Sequence, residues 1–115
     1  MLTHGLRQAH VWLIFDVRQK VERPRPDEVV IEGRWLFAKG KMVADEAALR
    51  IDDLTASYLE FISAIDGWSI LYRDPQDGRL WEQTYPHSAR HGGGPPRLAV
   101  VTLEEAQKRY SIPSR

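Results

Sequence analysis

Asp74-Pro75-Gln76-Asp77-Gly78, near the middle of the chain, forces the backbone to reverse direction. An Asp side chain can bond back to its own turn, Pro presets φ at the next position, and Gly accepts the positive φ that closes the turn. The flanking residues alternate. In Trp68–Arg73, Trp68, Ile70 and Tyr72 share one face while Leu71 and Arg73 take the other. In Arg79–Tyr85, Arg79, Trp81, Gln83 and Tyr85 oppose Leu80, Glu82 and Thr84. The pattern predicts an antiparallel hairpin, and the rest of the chain reads as the scaffold that holds it.

Upstream, Val29–Phe37 predicts a strand with a bulge at Gly33, and Lys39-Gly40-Lys41 a turn into a short return, Met42–Ala44. Asp45 is an N-cap, with Glu46 at the positive end of the helix dipole. Ala47, Ile51, Leu54, Tyr58, Phe61, Ile62 and Ile65 then recur at three- and four-residue steps, which predicts one long helix of about 20 residues closed by Gly67. Arg50, Asp52, Asp53 and Glu60 fall off that stripe and are expected in solvent. Downstream, Pro86 ends the second hairpin, and His87–Pro96 has no periodicity. Arg97–Thr102 is a last strand, and Thr102 with Glu105 forms a capping box for a short helix, Leu103–Tyr110.

The order of elements argues α+β: an antiparallel sheet of about five strands, one long helix packed on a face and a short C-terminal helix. A chain of 115 residues is one domain by length. Residues 1–27 are expected to be an N-terminal extension. Their apolar positions suit a strand or a helix equally, and Pro24-Arg25-Pro26 ends them before a single domain over 28–115.

Totals narrow the function. Sixteen basic and sixteen acidic side chains cancel, which counts against a general nucleic-acid or anionic-membrane partner. No cysteine is present, so thiolate metal sites are excluded and nothing calls for an oxidising compartment. The longest apolar run, Val11–Phe15, is far short of the roughly 18 residues a membrane span needs, and the expected location is the cytoplasm.

The hairpin and the loop behind it hold every candidate for chemistry. His87 and His91 stand at a chelating spacing, but no third ligand follows, so neither a metal nor another cofactor is expected. Gly92-Gly93-Gly94 would suit an anion, yet Pro95 and Pro96 follow where a helix with free N–H groups is needed, and a loop passing close to other backbone is the better reading. Glu82, His87 and His91, with Asp74, Asp77 and the arginines 73, 79, 90 and 97, could assemble acid–base chemistry on a phosphodiester, as in a small nuclease. Charged residues also alternate out of any half-exposed sheet, and turns collect Asp, so catalysis is the weaker reading. Trp35 and Trp68 are expected in the core and Trp81 at an exposed rim. Aromatic plus Arg is the composition of protein-binding hot spots.

The string Y-R-D-P-x-D-G-R-x-W-E-x-T-Y-P-x-S-x-x-H-G-G-G-P-P-x-L, from Tyr72 to Leu98, resembles the immunity protein 27 family of bacterial polymorphic toxin systems. So does the W-x-F-x-x-G-x-x-x-x-D pattern on Trp35, Phe37, Gly40 and Asp45. The long helix expected after Asp45 is similar to that family's too, and the resemblance as a whole covers about residues 28–110. The resemblance implies a small cytoplasmic α+β protein that binds and neutralises a cognate toxin, encoded by an adjacent gene, without catalysis. The expected partner-binding residues are Arg73, Asp74, Asp77, Arg79, Trp81, Gln83, Tyr85, His87, Arg90 and His91. Gly78, Pro86 and the run Gly92, Gly93, Gly94, Pro95 and Pro96 are expected to shape the motif. An uncovered edge strand in the first hairpin would allow a homodimer.

Overall fold

The structure is a computed structural model and describes residues 21–65, 67–86 and 94–112. Along these residues run β1 (Val30–Glu32), β2 (Trp35–Ala38), β3 (Lys41–Ala44), α1 (Glu46–Ser57), β4 (Glu60–Ile65), β5 (Ser69–Arg73), β6 (Leu80–Thr84), β7 (Arg97–Val101) and α2 (Leu103–Arg109). Five strands form one sheet in the order β1-β7-β6-β5-β4, and every neighbouring pair is antiparallel. β2 and β3 make a separate two-stranded ribbon. The α+β class expected from the sequence is the class found.

Strand alternation decides what each sheet face carries. Ile31, Tyr72, Trp81 and Leu98 point one way and close a core with Ile51 and Leu54 of α1. Leu71 points the other way and meets Ala106 and Tyr110, with Ile62, Ile65, Leu80 and Val101 half-buried around them. Both faces of the sheet are therefore covered, α1 on one and α2 on the other. A chain read as having one solvated sheet face would put Glu82 in water, and α2 is why it is not.

Local chemistry sets the helix starts. Asp45 Oδ1 accepts the Ala48 N–H at 2.8 Å and the Arg34 N–H at 3.1 Å, so one carboxylate caps α1 and pins the ribbon's entry. Thr102 and Glu105 make the expected reciprocal box at 2.9 and 3.0 Å, opening α2 at the end of β7.

Three sequence expectations are corrected. α1 has 12 residues and stops at Tyr58, and the apolar residues beyond it lie in strand β4. The cause is a bulge. Phe61 pairs with Tyr72 and Ser63 with Leu71, which leaves Ile62 as the extra residue. A strand whose alternation slips at Ile62 shows apolar residues at 61, 62 and 65, the spacing of a helical face. Gly67 does take positive φ, at 79°, but in the β4–β5 connection, where Trp68 N–H meets the Ile65 carbonyl at 3.2 Å.

The second correction concerns Val29–Phe37, which is not one bulged strand. It divides at Gly33 into β1, paired with β7, and β2, paired with β3. Gly33 donates to the Pro96 carbonyl at 2.9 Å. A Cβ there would stand 2.8 Å from Ala48 Cβ, 2.9 Å from Ala48 Cα and 3.0 Å from the Pro96 oxygen. Two of those atoms are backbone and cannot swing aside. Gly33→Ala is expected to destabilise the fold by about 1–3 kcal/mol, the usual range for overpacking, measured as a lower urea midpoint at unchanged slope. A midpoint equal to that of the parent would contradict this close approach.

The third correction inverts the tryptophans. Trp35 and Trp68, expected inside, are 40% and 53% exposed, and Trp81, expected at a rim, is 0% exposed. Trp81 lies on the central strand β6 beneath α1, whereas Trp35 sits on the detached ribbon.

Candidate functional site

The hairpin turn forms as its residues require. Asp74 donates its N–H to the Arg79 carbonyl at 2.9 Å and accepts the Gly78 N–H at 2.8 Å, with Gly78 at φ 79°. Asp74 Oδ1 accepts the Gln76 N–H at 2.8 Å and the Tyr58 hydroxyl at 2.6 Å. Asp74 is 1% exposed, a burial a carboxylate reaches only when its oxygens are bonded. Burial, then the bond to Asp74, pushes the Tyr58 hydroxyl up to about 12, so Tyr58 is a permanent donor at neutral pH. The pair ties the end of α1 to the hairpin tip.

Arg79 is fully engaged. Its Nε donates to Asp77 Oδ2 at 2.8 Å, Nη1 to the Glu28 carbonyl at 2.6 Å and Nη2 to the Arg25 carbonyl at 3.0 Å. Its guanidinium also lies 5.1 Å from the centre of the Trp81 ring. Burial works against ionisation of Asp77, but the backbone N–H and guanidinium of Arg79 outweigh it and hold the carboxyl below its usual range. Arg73 is exposed and paired with Glu60 at 2.7 Å. Gln83 is buried and donates to the Tyr85 hydroxyl at 3.1 Å, and the Tyr85 ring meets Trp68 edge-on at 5.8 Å.

Glu82 faces α2. Arg109 Nη2 donates to its Oε1 at 2.6 Å and the Tyr110 hydroxyl to its Oε2 at 2.7 Å. Burial, then that bond, pushes the Tyr110 hydroxyl well above the ordinary phenol range. Glu82 therefore fastens the C-terminal helix to the central strand. Glu82 is held from the α2 side and Asp74 from the α1 side, so these two carboxylates do not share a site.

Sequence reading missed the node formed by Glu28 and Arg50. Arg50, expected in solvent, has a side chain only 15% exposed and grips Glu28 with two bonds of 2.9 and 2.8 Å. It also donates to the carbonyls of Glu22 at 2.8 Å and Arg23 at 3.0 Å. The hydrogen bonds from Arg50 hold the Glu28 carboxyl down at about 2. Together with Arg79, this node fastens the segment 22–28 to the domain. No local motif announces a contact between residues 22 apart in sequence, and the only hint was that α1 carries one Arg beside its apolar stripe.

Of the expected partner-binding residues, Arg73 and Asp77 are exposed, Arg79 and Tyr85 half-buried, and Asp74, Trp81 and Gln83 buried. His87, Arg90 and His91, with Gly92 and Gly93, lie outside the described residues. Gly94 and Pro96 are buried, and Pro96 supplies the carbonyl that receives Gly33. Among the described residues no group of three or more His, Asp or Glu is placed to hold a metal ion, and no helix is long and apolar enough to cross a membrane. A cleft of about 420 Å³ beside α2 is lined by Ile62, Arg73, Leu80, Val101, Leu103 and Ile112 among others, with no carboxylate in its wall.

Among the described residues, five exposed large apolar side chains lie together elsewhere, on the ribbon, where Trp35, Leu36, Phe37, Met42 and Val43 are 37–73% exposed. Comparison with known families finds that residues 37–102 match the family model described as Immunity protein 27. No curated protein and no solved structure gives a significant match.

Proposed function

This chain belongs to the immunity protein 27 family, and we propose that it binds a toxin protein in the bacterial cytoplasm and neutralises it by occupancy, without catalysis. The family match over residues 37–102 carries this reading, because that span takes in the ribbon from Phe37 onward, α1, the hairpin and β7. The bonding around the hairpin supports it. Glu82, Asp74, Asp77 and Arg79 each hold a neighbouring element in place, so these four candidates are engaged in the fold. The nuclease reading drew on Glu82, His87 and His91, and of these Glu82 is bonded at both oxygens.

Within this reading, Arg73 and Asp77 at the hairpin, with His87, Arg90 and His91 in the loop after it, are candidate partner contacts. Asp74, Trp81 and Gln83 serve the fold that presents them. Co-expression with the toxin encoded beside its gene tests the proposal. Cells carrying both are expected to grow as cells without the toxin do, and the two proteins to purify together. Toxicity undiminished by this protein would overturn the reading.

A further inference from the structure

Between Gly33 and Asp45 the chain has three basic side chains, Arg34, Lys39 and Lys41, and no acidic one. All three are exposed, and among the described residues none is in a salt bridge. They frame the β2–β3 ribbon. Its register sets Phe37 opposite Met42 and Trp35 opposite Ala44, so Trp35, Phe37 and Met42 share one face. Phe37 is 73%, Met42 58% and Trp35 40% exposed.

The connection is built to hold this shape. Lys39 and Gly40 take φ of 51° and 79° between the paired Ala38 and Lys41, the positive-φ pair of a tight two-residue hairpin. Among the described residues neither strand pairs with any other strand, so the outer edges are open. A two-stranded ribbon with both faces in water is marginal by itself, and a large exposed apolar surface marks a contact site.

Resting on the reading that the partner is a toxin protein, we infer that this ribbon is the element that docks on it. It seats Trp35, Phe37 and Met42 on an apolar patch of the toxin, and acidic groups beside that patch answer Lys39 at the turn and, around the ribbon's edges, Arg34 and Lys41, which alternation sets on the Leu36 and Val43 face. Aromatic and Met anchors with basic groups at the turn and edges of the same ribbon are the composition of an interface core with a charged rim. A second copy of this chain fits poorly. A two-fold contact presents the same patch from both sides, and three cations would face three cations with no carboxylate between Gly33 and Asp45 to answer them. Aromatics with lysines could also meet single-stranded nucleic acid, but the chain's sixteen acidic side chains cancel its basic ones and oppose a polyanion.

The experiment uses the full chain and the purified toxin encoded beside its gene. Two variants are compared with the parent by calorimetric titration for affinity and stopped-flow mixing for association rate: Phe37→Ser with Met42→Ser, and Lys39→Glu with Lys41→Glu. The first is expected to weaken binding about 100-fold, as loss of two anchors does, and the second to slow association about 10-fold at low salt. Leu103→Ser, an exposed apolar residue on α2, is expected to bind as the parent does. Hydrogen exchange on the unmodified protein gives a readout independent of the variants' folding, with amides 35–44 expected to slow on complex formation. Parent-like affinity in both variants with unslowed ribbon amides would overturn the inference while leaving toxin binding intact. Failure of the parent to bind would overturn both. Dimerisation lost in the Phe37 variant, or oligonucleotide binding lost in the Lys39 variant, would assign the ribbon to those partners instead.

Discussion

Trp81→Ala is expected to remove about 3–5 kcal/mol of stability, the usual consequence of emptying a fully buried aromatic site. Trp81 is 0% exposed on the central strand β6, packed with Ile31, Ile51, Leu54, Tyr72 and Leu98. A domain of this size has about 5–15 kcal/mol in total, so the variant should be marginal at 37 °C. Trp81→Phe should lose much less. Among the described residues the buried Trp81 indole N–H has no hydrogen-bond partner, a condition that costs about 1–3 kcal/mol, and phenylalanine removes that donor together with part of the ring. Urea unfolding monitored by circular dichroism separates the two. A Trp81→Ala variant within about 1 kcal/mol of the parent would mean that α1 does not press on this face.

The second large effect belongs to Arg50. Arg50→Ala is expected to destabilise by about 2–3 kcal/mol, because the Glu28 carboxylate, at 13% side-chain exposure, loses both guanidinium bonds and keeps only Arg25, whose guanidinium lies at 3.3 Å. Changing both partners, Glu28→Gln with Arg50→Met, should recover most of that loss, since no buried charge is left unanswered. The same pair sets a pH signature. The Glu28 carboxyl ionises at about 2 in the folded chain against an ordinary 4.5, chiefly through its hydrogen bonds from Arg50. A depressed folded value means that the stabilisation is complete above about 4.5 and disappears as pH falls from there toward 2. It is worth about 2–3 kcal/mol at neutral pH. Glu28→Gln should flatten that part of the stability–pH curve, and an unchanged slope between pH 4.5 and 2 would contradict the assignment.

The parts of the fold legible in sequence were those decided by neighbours. The Asp74–Gly78 turn, the Asp45 cap and the Thr102–Glu105 box each depend on residues within five positions, and each formed as read. β4 was misread because its bulge at Ile62 put a strand's apolar residues into helical spacing. Trp35 and Trp81 were exchanged between surface and core because alternation says which residues share a face, not what covers that face. The same gap hid the role of Glu82. Only the packing of α2 turns an apparently solvated carboxylate into the anchor for Arg109 and Tyr110. For the site, Arg34, Lys39 and Lys41 were visible as letters. Their meaning required knowing that β2 and β3 leave the main sheet.

Neutralisation by occupancy has a stoichiometric signature that no fold argument can imitate. Purified toxin at fixed concentration, titrated with this protein while toxin activity is followed, should lose activity linearly and reach full inhibition at an equimolar point. Preincubation should not move that point. Progressive loss of toxin activity at far less than equimolar protein, increasing with incubation time, would show turnover and contradict the account.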